Sequence, residues 1–311
     1  MKRGTAILLL ALLLASVAGL AFGKYAGYIP LTLHKEKIVV VTFPNLKGDV
    51  QLLVKGCDIK VISLAPPGVD PHSYTLSPEK VKLVKEAMLV VSTGHAPFEL
   101  SLRKIVPQDK LVEINKIPGI KLAKLPGSGK PNPHMPILDP HNYKVFINYI
   151  RWKLGEALPK CYYRIYDNMA NLTIALSDIT RGDWGILGGP LNPRPAVITS
   201  PPLQYAVQWL GLHPVLLLSP GEGATPPAET VEKVKKILEN NGVAVVMTVP
   251  PNAKPYSKLD AWLINVAKEV NATVFAVPAP FALNSTIKII YYVSLEATAL
   301  SIPSGVTGNS G

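Results

Sequence analysis

The pentapeptide Asp-Pro-His-x-Tyr occurs at Asp70-Pro71-His72-Ser73-Tyr74 and again at Asp139-Pro140-His141-Asn142-Tyr143. Asp is a favoured helix N-cap and Pro is pre-shaped for the first helical position, so each copy is expected to present its histidine at a helix start. A neutral imidazole on such a corner is a ligand for a borderline divalent metal. Local hydrogen bonding is the bland use of either histidine, but a repeated ligand-presenting corner points to metal chemistry. His72 and His141 are the leading candidates. His95 ends the turn Thr93-Gly94-His95 after an apolar run, and His134 sits in a stretch rich in Gly, Pro and Lys over residues 121–136. These are the further candidates. His213 and His34 read as structural, Glu99 as a local hydrogen-bond partner, and Asp70 and Asp139 as caps.

No catalytic signature accompanies the histidines. His-Glu-x-x-His, Gly-x-Ser-x-Gly and a strand-borne Gly-x-Gly-x-x-Gly are all missing. Gly127-Ser128-Gly129-Lys130 hints at a phosphate loop, but Pro131 stands where Ser or Thr is required and Lys124 where Gly is. The reading is of a binding protein, not an enzyme.

The net charge is +11, which raises the question of nucleic acid. The cations are scattered among Glu and apolar positions, as in Glu79-Lys80 and Glu232-Lys233, and no nucleic-acid motif goes with them. A solvated basic face, able to lie near anionic lipid, fits better than a nucleic-acid partner. Lys2 and Arg3 precede the uncharged residues 6–22, an export segment at the lower end of what spans a bilayer. Cleaved, it is a signal peptide; retained, it is an N-terminal anchor to the membrane surface. Either way the chain is expected outside the cytoplasm. There the two cysteines, Cys57 and Cys161, can form a disulfide or stay as buried thiols. Sequons at Asn171, Asn271 and Asn284 suit such a surface-exposed protein.

The elements that must position the histidines alternate between strand and helix. Strands are expected over 38–43, 59–64 and 89–92, with a helix opening at Ser77-Pro78-Glu79. A helix should run from the second corner to about 158, and a long one over 161–180 precedes a Gly- and Pro-dense linker, 182–195. Beyond it, strands over 196–199, 215–218, 243–249 and 273–277 alternate with helices at 203–210, after Thr225-Pro226-Pro227 and from Ser257. Alternation in both halves implies two parallel-sheet α/β lobes, whose ligands bind at the carboxyl ends of the strands. The expected organisation is an export segment (1–23), an N-terminal lobe (36–160), a connecting helix (161–182), a C-terminal lobe (195–300) and a tail (301–311).

The segment Pro66-Pro67-Gly68-Val69-Asp70-Pro71-His72-Ser73-Tyr74, with Leu76-Ser77-Pro78 after it, closely resembles the first metal corner of the zinc- and manganese-binding solute receptors of ABC transporters, the TroA-like cluster. Leu138-Asp139-Pro140-His141-Asn142-Tyr143 is similar to the second corner, with Tyr where Trp is usual, and residues 90–99 resemble the strand and loop that end in a glutamate. The resemblance covers about residues 38–300. It implies a TroA-like solute-binding fold, two α/β lobes bridged by one rigid helix, and a monomer. Zn2+ or Mn2+ would be the cargo, and the membrane permease of an ABC importer the partner. It carries His72 and His141 over as ligands. It also implies two ligands from the C-terminal lobe, but Pro201 and the pair Ala279-Pro280 stand at those positions. His134, His95 and water would then complete the shell, and affinity should fall below about pH 6.5 as imidazoles protonate. The alternative is a diverged member whose apolar C-terminal wall (Pro201, Pro202, Ala279, Phe281) takes a metal chelate or small organic solute, or a protein acting in adhesion.

Overall fold

The strand β1 (Ile38–Val41) is built of β-branched residues, and Val39, Val40 and Val41 are fully buried, as a strand covered on both faces must be. It pairs in parallel with β2 (Lys60–Ser63) and β3 (Leu89–Ser92), and β3 pairs in parallel with β4 (Leu111–Glu113). The order is β2-β1-β3-β4. Helices α1 (Pro44–Leu53), α2 (Pro78–Glu86) and α3 (Pro97–Leu102) follow β1, β2 and β3, each with proline in its first turn, where the missing amide costs nothing. The computed structural model describes residues 36–69, 71–181, 191, 193–218, 226–250 and 252–301. It divides the chain into two units, Met1–Glu36 and Lys37–Gly311, and both sheets belong to the second.

Asp139 caps α4 (Pro140–Ala157) by accepting from the Asn142 amide at 2.9 Å. A 3-10 turn at Pro159–Cys161 leads into α5 (Tyr162–Thr180). Cys57 and Cys161 form the disulfide that the export segment allowed, with Cα atoms 6.1 Å apart. It closes a sequence span of 104 residues and ties the start of α5 to the segment after α1. The second sheet takes β5 (Arg194–Ile198), β6 (Leu212–Leu217), β7 (Val243–Val249) and β9 (Thr273–Pro278) in the parallel order β6-β5-β7-β9, with the two-residue β8 (Lys254–Pro255) antiparallel to the end of β7. The helices α6 (Pro202–Gln208), α7 (Ala228–Glu239), α8 (Lys258–Glu269) and α9 (Thr286–Ser301) accompany it. The two parallel-sheet lobes expected from alternation are thus present. The export segment, most of the 182–195 linker and the tail beyond 301 lie outside the described residues, and no helix among those described is long and apolar enough to cross a membrane.

Sequence patterning missed α1, α3, β4 and α9, and misread one corner. In α1, Gly48 and Asn45 look like breakers, yet Gly48 is there because α1 abuts the 284–285 segment: a Cβ would come within 1.6 Å of the Asn284 carbonyl oxygen. The first Asp-Pro-His corner does not open a helix. Pro71, His72 and Ser73 form a turn, residues 74–77 are irregular, and the next helix starts at Pro78, capped by Ser77. Tyr74 explains this, because its hydroxyl donates to the Leu64 carbonyl at 2.7 Å and its ring packs edge-on against Phe98, which fixes the chain in a non-helical path. Asp70, expected as the cap, lies outside the described residues.

One apolar cluster runs through both lobes, from Val40, Phe43 and Phe98 to Leu203, Ala206 and Ala279. Beside it, Asp49 of α1 joins the lobes by polar contacts. Its Oδ1 accepts from the Tyr143 hydroxyl (3.1 Å), the Ser285 hydroxyl (2.9 Å) and the Thr286 amide (2.9 Å), so a residue of α1 caps α9. Asn45, one turn earlier, donates to the Thr286 hydroxyl at 3.0 Å. Burial pushes the Asp49 carboxyl up to about 6, and the hydrogen bonds from Thr286, Ser285 and Tyr143 only partly oppose it. A raised carboxyl binds its proton more tightly in the folded state, so its contribution favours folding at low pH and is lost as pH rises through 6. From an unfolded value of 3.8 the loss amounts to about 3 kcal/mol. Asp49→Asn removes the titration. Its unfolding free energy relative to the parent should therefore climb by up to ~3 kcal/mol between pH 4 and pH 7 in urea titrations; a difference independent of pH would contradict the assignment.

Candidate metal centre

The loop after β3 is organised by one carboxylate. Glu99, in the first turn of α3 and almost fully buried, accepts from the Ser92 hydroxyl (3.0 Å) and from the amides of Thr93 (2.7 Å), His95 (3.2 Å) and Ala96 (3.0 Å), and also from the Thr93 hydroxyl. Because Thr93 gives its proton to Glu99, its oxygen is left to accept, and His95 Nδ1 lies 3.0 Å from it. The proton of His95 therefore sits on Nδ1, and Nε2 keeps its lone pair. The local partner role expected for Glu99 is the one it plays, and it also sets the tautomer of a candidate ligand.

His134 is prepared in the same way by an amide. Asn132 Oδ1 accepts from the His134 backbone amide at 3.0 Å and lies 3.0 Å from His134 Nδ1. An amide oxygen can only accept, so this ring too carries its proton on Nδ1 and offers Nε2. The loop bearing it is pinned at both ends by the second corner. Asn142 accepts from the Lys121 amide (2.8 Å) and donates to the carbonyls of Lys121 (2.9 Å) and Pro136 (3.0 Å). Met135, directly after the histidine, is buried with φ at 52°, a left-handed conformation costing on the order of 1–2 kcal/mol for a non-glycine residue.

His72, His95 and His134 come together. Each offers a ligand nitrogen, and all three lie within 4.8 Å of one another. The His95 ring centroid is 4.5 Å from that of His134 and 6.1 Å from that of His72. Tetrahedral zinc at about 2.1 Å from each nitrogen needs nitrogens about 3.4 Å apart, so adjustment by roughly an ångström makes a three-coordinate cage. His72 is exposed while the other two are half-buried, which puts His72 at the mouth. The group stands at the carboxyl ends of the strands: His72 follows β2 and His95 follows β3, beside the point where the strand order reverses.

The structure does not bring His141 into this group. Asn142 and Tyr143 are the buried residues of the second corner, and their helical neighbour His141 faces solvent, lining an open groove with Lys144, Asn148, Met169 and Thr173. The corner contributes by holding the loop of His134 instead. On the C-terminal side, Ala279 is fully buried and Phe281 packs on Phe43 with centroids 4.9 Å apart, an apolar wall with no ligand at that position. His213 is an exposed residue of β6, and His34 lies outside the described residues.

Electrostatics favour neutral rings. Burial lowers His95, assisted by His72 and opposed by the Glu99 carboxylate. His134 is pushed down to about 4 by burial and by the nearby imidazoles of His95 and His72. Burial likewise pushes Tyr205, which touches this loop, up to about 12, leaving its hydroxyl a permanent donor. Sequence reasoning missed Asn132, Asn142, Thr93 and Tyr205. The only signal was the order Asn132-Pro133-His134, an Asn poised to turn the chain in front of a histidine.

Two α/β lobes with imidazoles gathered at the strand ends define a solute-receptor architecture. The model of the family described as zinc-uptake complex component A periplasmic (ZnuA) matches residues 39–275, and the chain belongs to that family. It is 28% identical over 245 residues to a putative metal-binding protein of Thermotoga maritima, covering 78% of this chain and 81% of the relative. It is 24% identical over 253 residues to the manganese ABC transporter substrate-binding lipoprotein PsaA of Streptococcus pneumoniae, covering 78% and 79%. In fold it is similar to a zinc-bound ZnuA deletion mutant (TM-score 0.64, 20% identity, 86% of this chain and 99% of that one). It is similar too to a manganese-bound periplasmic metal-binding protein of Candidatus Liberibacter asiaticus (TM-score 0.64, 16% identity, 86% and 100%).

The depressed His134 value makes a direct prediction for the metal-free protein. Its folded value lies below the ordinary 6.5, so the ring should stay neutral as pH falls through 6 and protonate only near pH 4. An NMR titration of ring-labelled histidine should give that midpoint. A midpoint near 6.5 would mean that the ring is neither buried nor grouped as described.

Proposed function

We propose that this protein is an extracytoplasmic receptor that captures a divalent metal ion with His72, His95 and His134 and delivers it to the membrane permease of an ABC importer. The observation that carries the reading is the convergence of three ligand nitrogens within 4.8 Å at the strand ends. Membership of the zinc-uptake family and the metal-bound state of its structural neighbours support it. The metal is cargo, and the reading assigns the protein no reaction. The export segment would deliver the chain outside the cytoplasm and, if retained, hold it at the membrane as a monomer beside its permease.

The donor set narrows the cargo. Three neutral imidazoles suit zinc and its borderline neighbours, whereas manganese prefers carboxylate, carbonyl and water oxygens. Glu99, a carboxylate 3.8 Å from His95 Nδ1, is occupied by backbone and hydroxyl donors. We therefore assign zinc over manganese. Three protein ligands leave a fourth position for water or for an atom of a small chelator, which keeps the metal-chelate reading in view.

Titration against a chromophoric chelator at neutral pH should give zinc affinity in the micromolar range or tighter, with manganese at least about tenfold weaker. Alanine at position 72, 95 or 134 should each weaken zinc about tenfold or more, while His141→Ala leaves it unchanged. If His141→Ala abolishes binding while His134→Ala does not, the ligand set is wrong. If the parent binds zinc only with an added chelator, the chelate is the cargo.

A further inference from the structure

The C-terminal lobe offers no ligand at Pro201 or Ala279, yet its first helix touches the loop of His134 at several points. We propose that Gln204 and Tyr205 are positioning residues for metal capture, acting on His134 through Asn132. The proposal rests on His134 being a ligand and says how the second lobe takes part.

The side-chain amide of Asn132, fully buried, is committed on every side. Its Nδ2 donates to the Pro201 carbonyl and to Gln204 Oε1, both at 2.9 Å, while its Oδ1 accepts from the His134 amide and faces His134 Nδ1, both at 3.0 Å. Turned over, the amide would set its NH2 against the His134 amide and its oxygen against two acceptors, so its orientation is fixed. Gln204 is itself oriented, because its Nε2 donates to the Lys124 carbonyl at 2.8 Å. The Tyr205 hydroxyl donates to the Asn132 carbonyl at 2.5 Å and accepts from the Ala123 amide at 2.9 Å. The loop folds back on itself, with the Asn132 amide donating to the Ala123 carbonyl at 2.8 Å, so α6 grips both of its arms.

The other two histidines are anchored differently. His95 is held by Thr93 and Glu99, and the turn of His72 by Tyr74 on Leu64, all within the N-terminal lobe. His134 is held from across the lobes, through Asn132. Separation of α6 from the N-terminal lobe would therefore draw His134 away from His95, which Thr93 and Glu99 hold locally. By reciprocity, a metal that binds all three histidines stabilises the grip of α6 on the loop.

The test is a double-mutant cycle read by zinc affinity and fold integrity: the parent, Gln204→Leu, His134→Ala and the double variant. Gln204→Leu keeps side-chain volume but removes the acceptor for Asn132. It should weaken zinc about 10- to 100-fold in the parent, the range for outer-shell partners of a ligand. In the His134→Ala background the same substitution should change affinity by less than about twofold, because the residue through which it acts is gone. A purely structural role would lower affinity equally in both backgrounds, and that result overturns the proposal, as does no weakening in the parent. If Gln204→Leu does not fold, Tyr205→Phe, which deletes one hydroxyl, is read by the same criteria. A His134→Ala variant that binds zinc like the parent overturns the ligand assignment and this proposal together. Loss of affinity in His134→Ala with an additive second substitution overturns this proposal alone.

Discussion

A loop that runs from beyond β4 to the start of α4, with one short antiparallel bridge at Lys124 and Pro131, must find partners for its remaining backbone polar groups elsewhere. Residues 121–136 find them in two buried asparagines: Asn142 binds Lys121 and Pro136, and Asn132 binds Pro201, Gln204 and His134. Each amide has two donors and an acceptor with two lone pairs, so it can bridge several chain segments at once. His134 reaches the other histidines only because this loop is pinned, and the left-handed Met135 beside it is tolerated for the same reason. The second Asp-Pro-His corner supplies the pin. Its asparagine and tyrosine are buried and its histidine is not.

Buried acidic groups do comparable work at three other corners. Glu99 gathers the 92–96 loop, Asp49 caps α9 from α1, and Asp260 accepts from Thr199, Ser257 and the Met247 amide at the end of β7. None of the three faces a lysine or arginine in these contacts. Each accepts from amides and hydroxyls, which hold a carboxyl oxygen in a defined direction without the side-chain entropy cost of an ion pair, although the second oxygen of Asp49 is buried without a partner. The Cys57–Cys161 bridge complements them covalently. Constraining a span of 104 residues removes unfolded-state freedom on the order of 4–5 kcal/mol in the chain-entropy account.

Regular elements with strong periodicity were legible in the sequence: β3, β7, α4 and α5 lie where the apolar pattern puts them, within a residue or two. Elements shaped by a neighbour were not. Helix α1 carries Gly48 because another segment lies against it, and α9 opens with apolar residues on all sides that no single-face pattern describes. The site was half legible for the same reason. Histidines name themselves as ligands, but which of them converge depends on tertiary contacts that leave no mark in the motif. Of the two matching corners, Tyr74 bonds to a local carbonyl and bends its corner into a turn, while Tyr143 reaches Asp49 and keeps its corner helical. One side chain's choice of partner separated two near-identical pentapeptides.

The proposed ligand set, all nitrogen and drawn from one lobe, changes what closure can mean. When both lobes donate ligands, the metal itself is the bolt, and its departure frees them. Here the lobes also meet directly through Asn132, Gln204 and Tyr205, through Asp49 and Thr286, and through Phe43 and Phe281. Metal binding can shift the lobe equilibrium only by its differential affinity for the arrangement in which His134 is in place. The coupling is therefore limited to what one held histidine contributes, commonly 1–3 kcal/mol for such linkages. With the proposed ligand set, disturbing this one loop would be enough to loosen the hold on the metal.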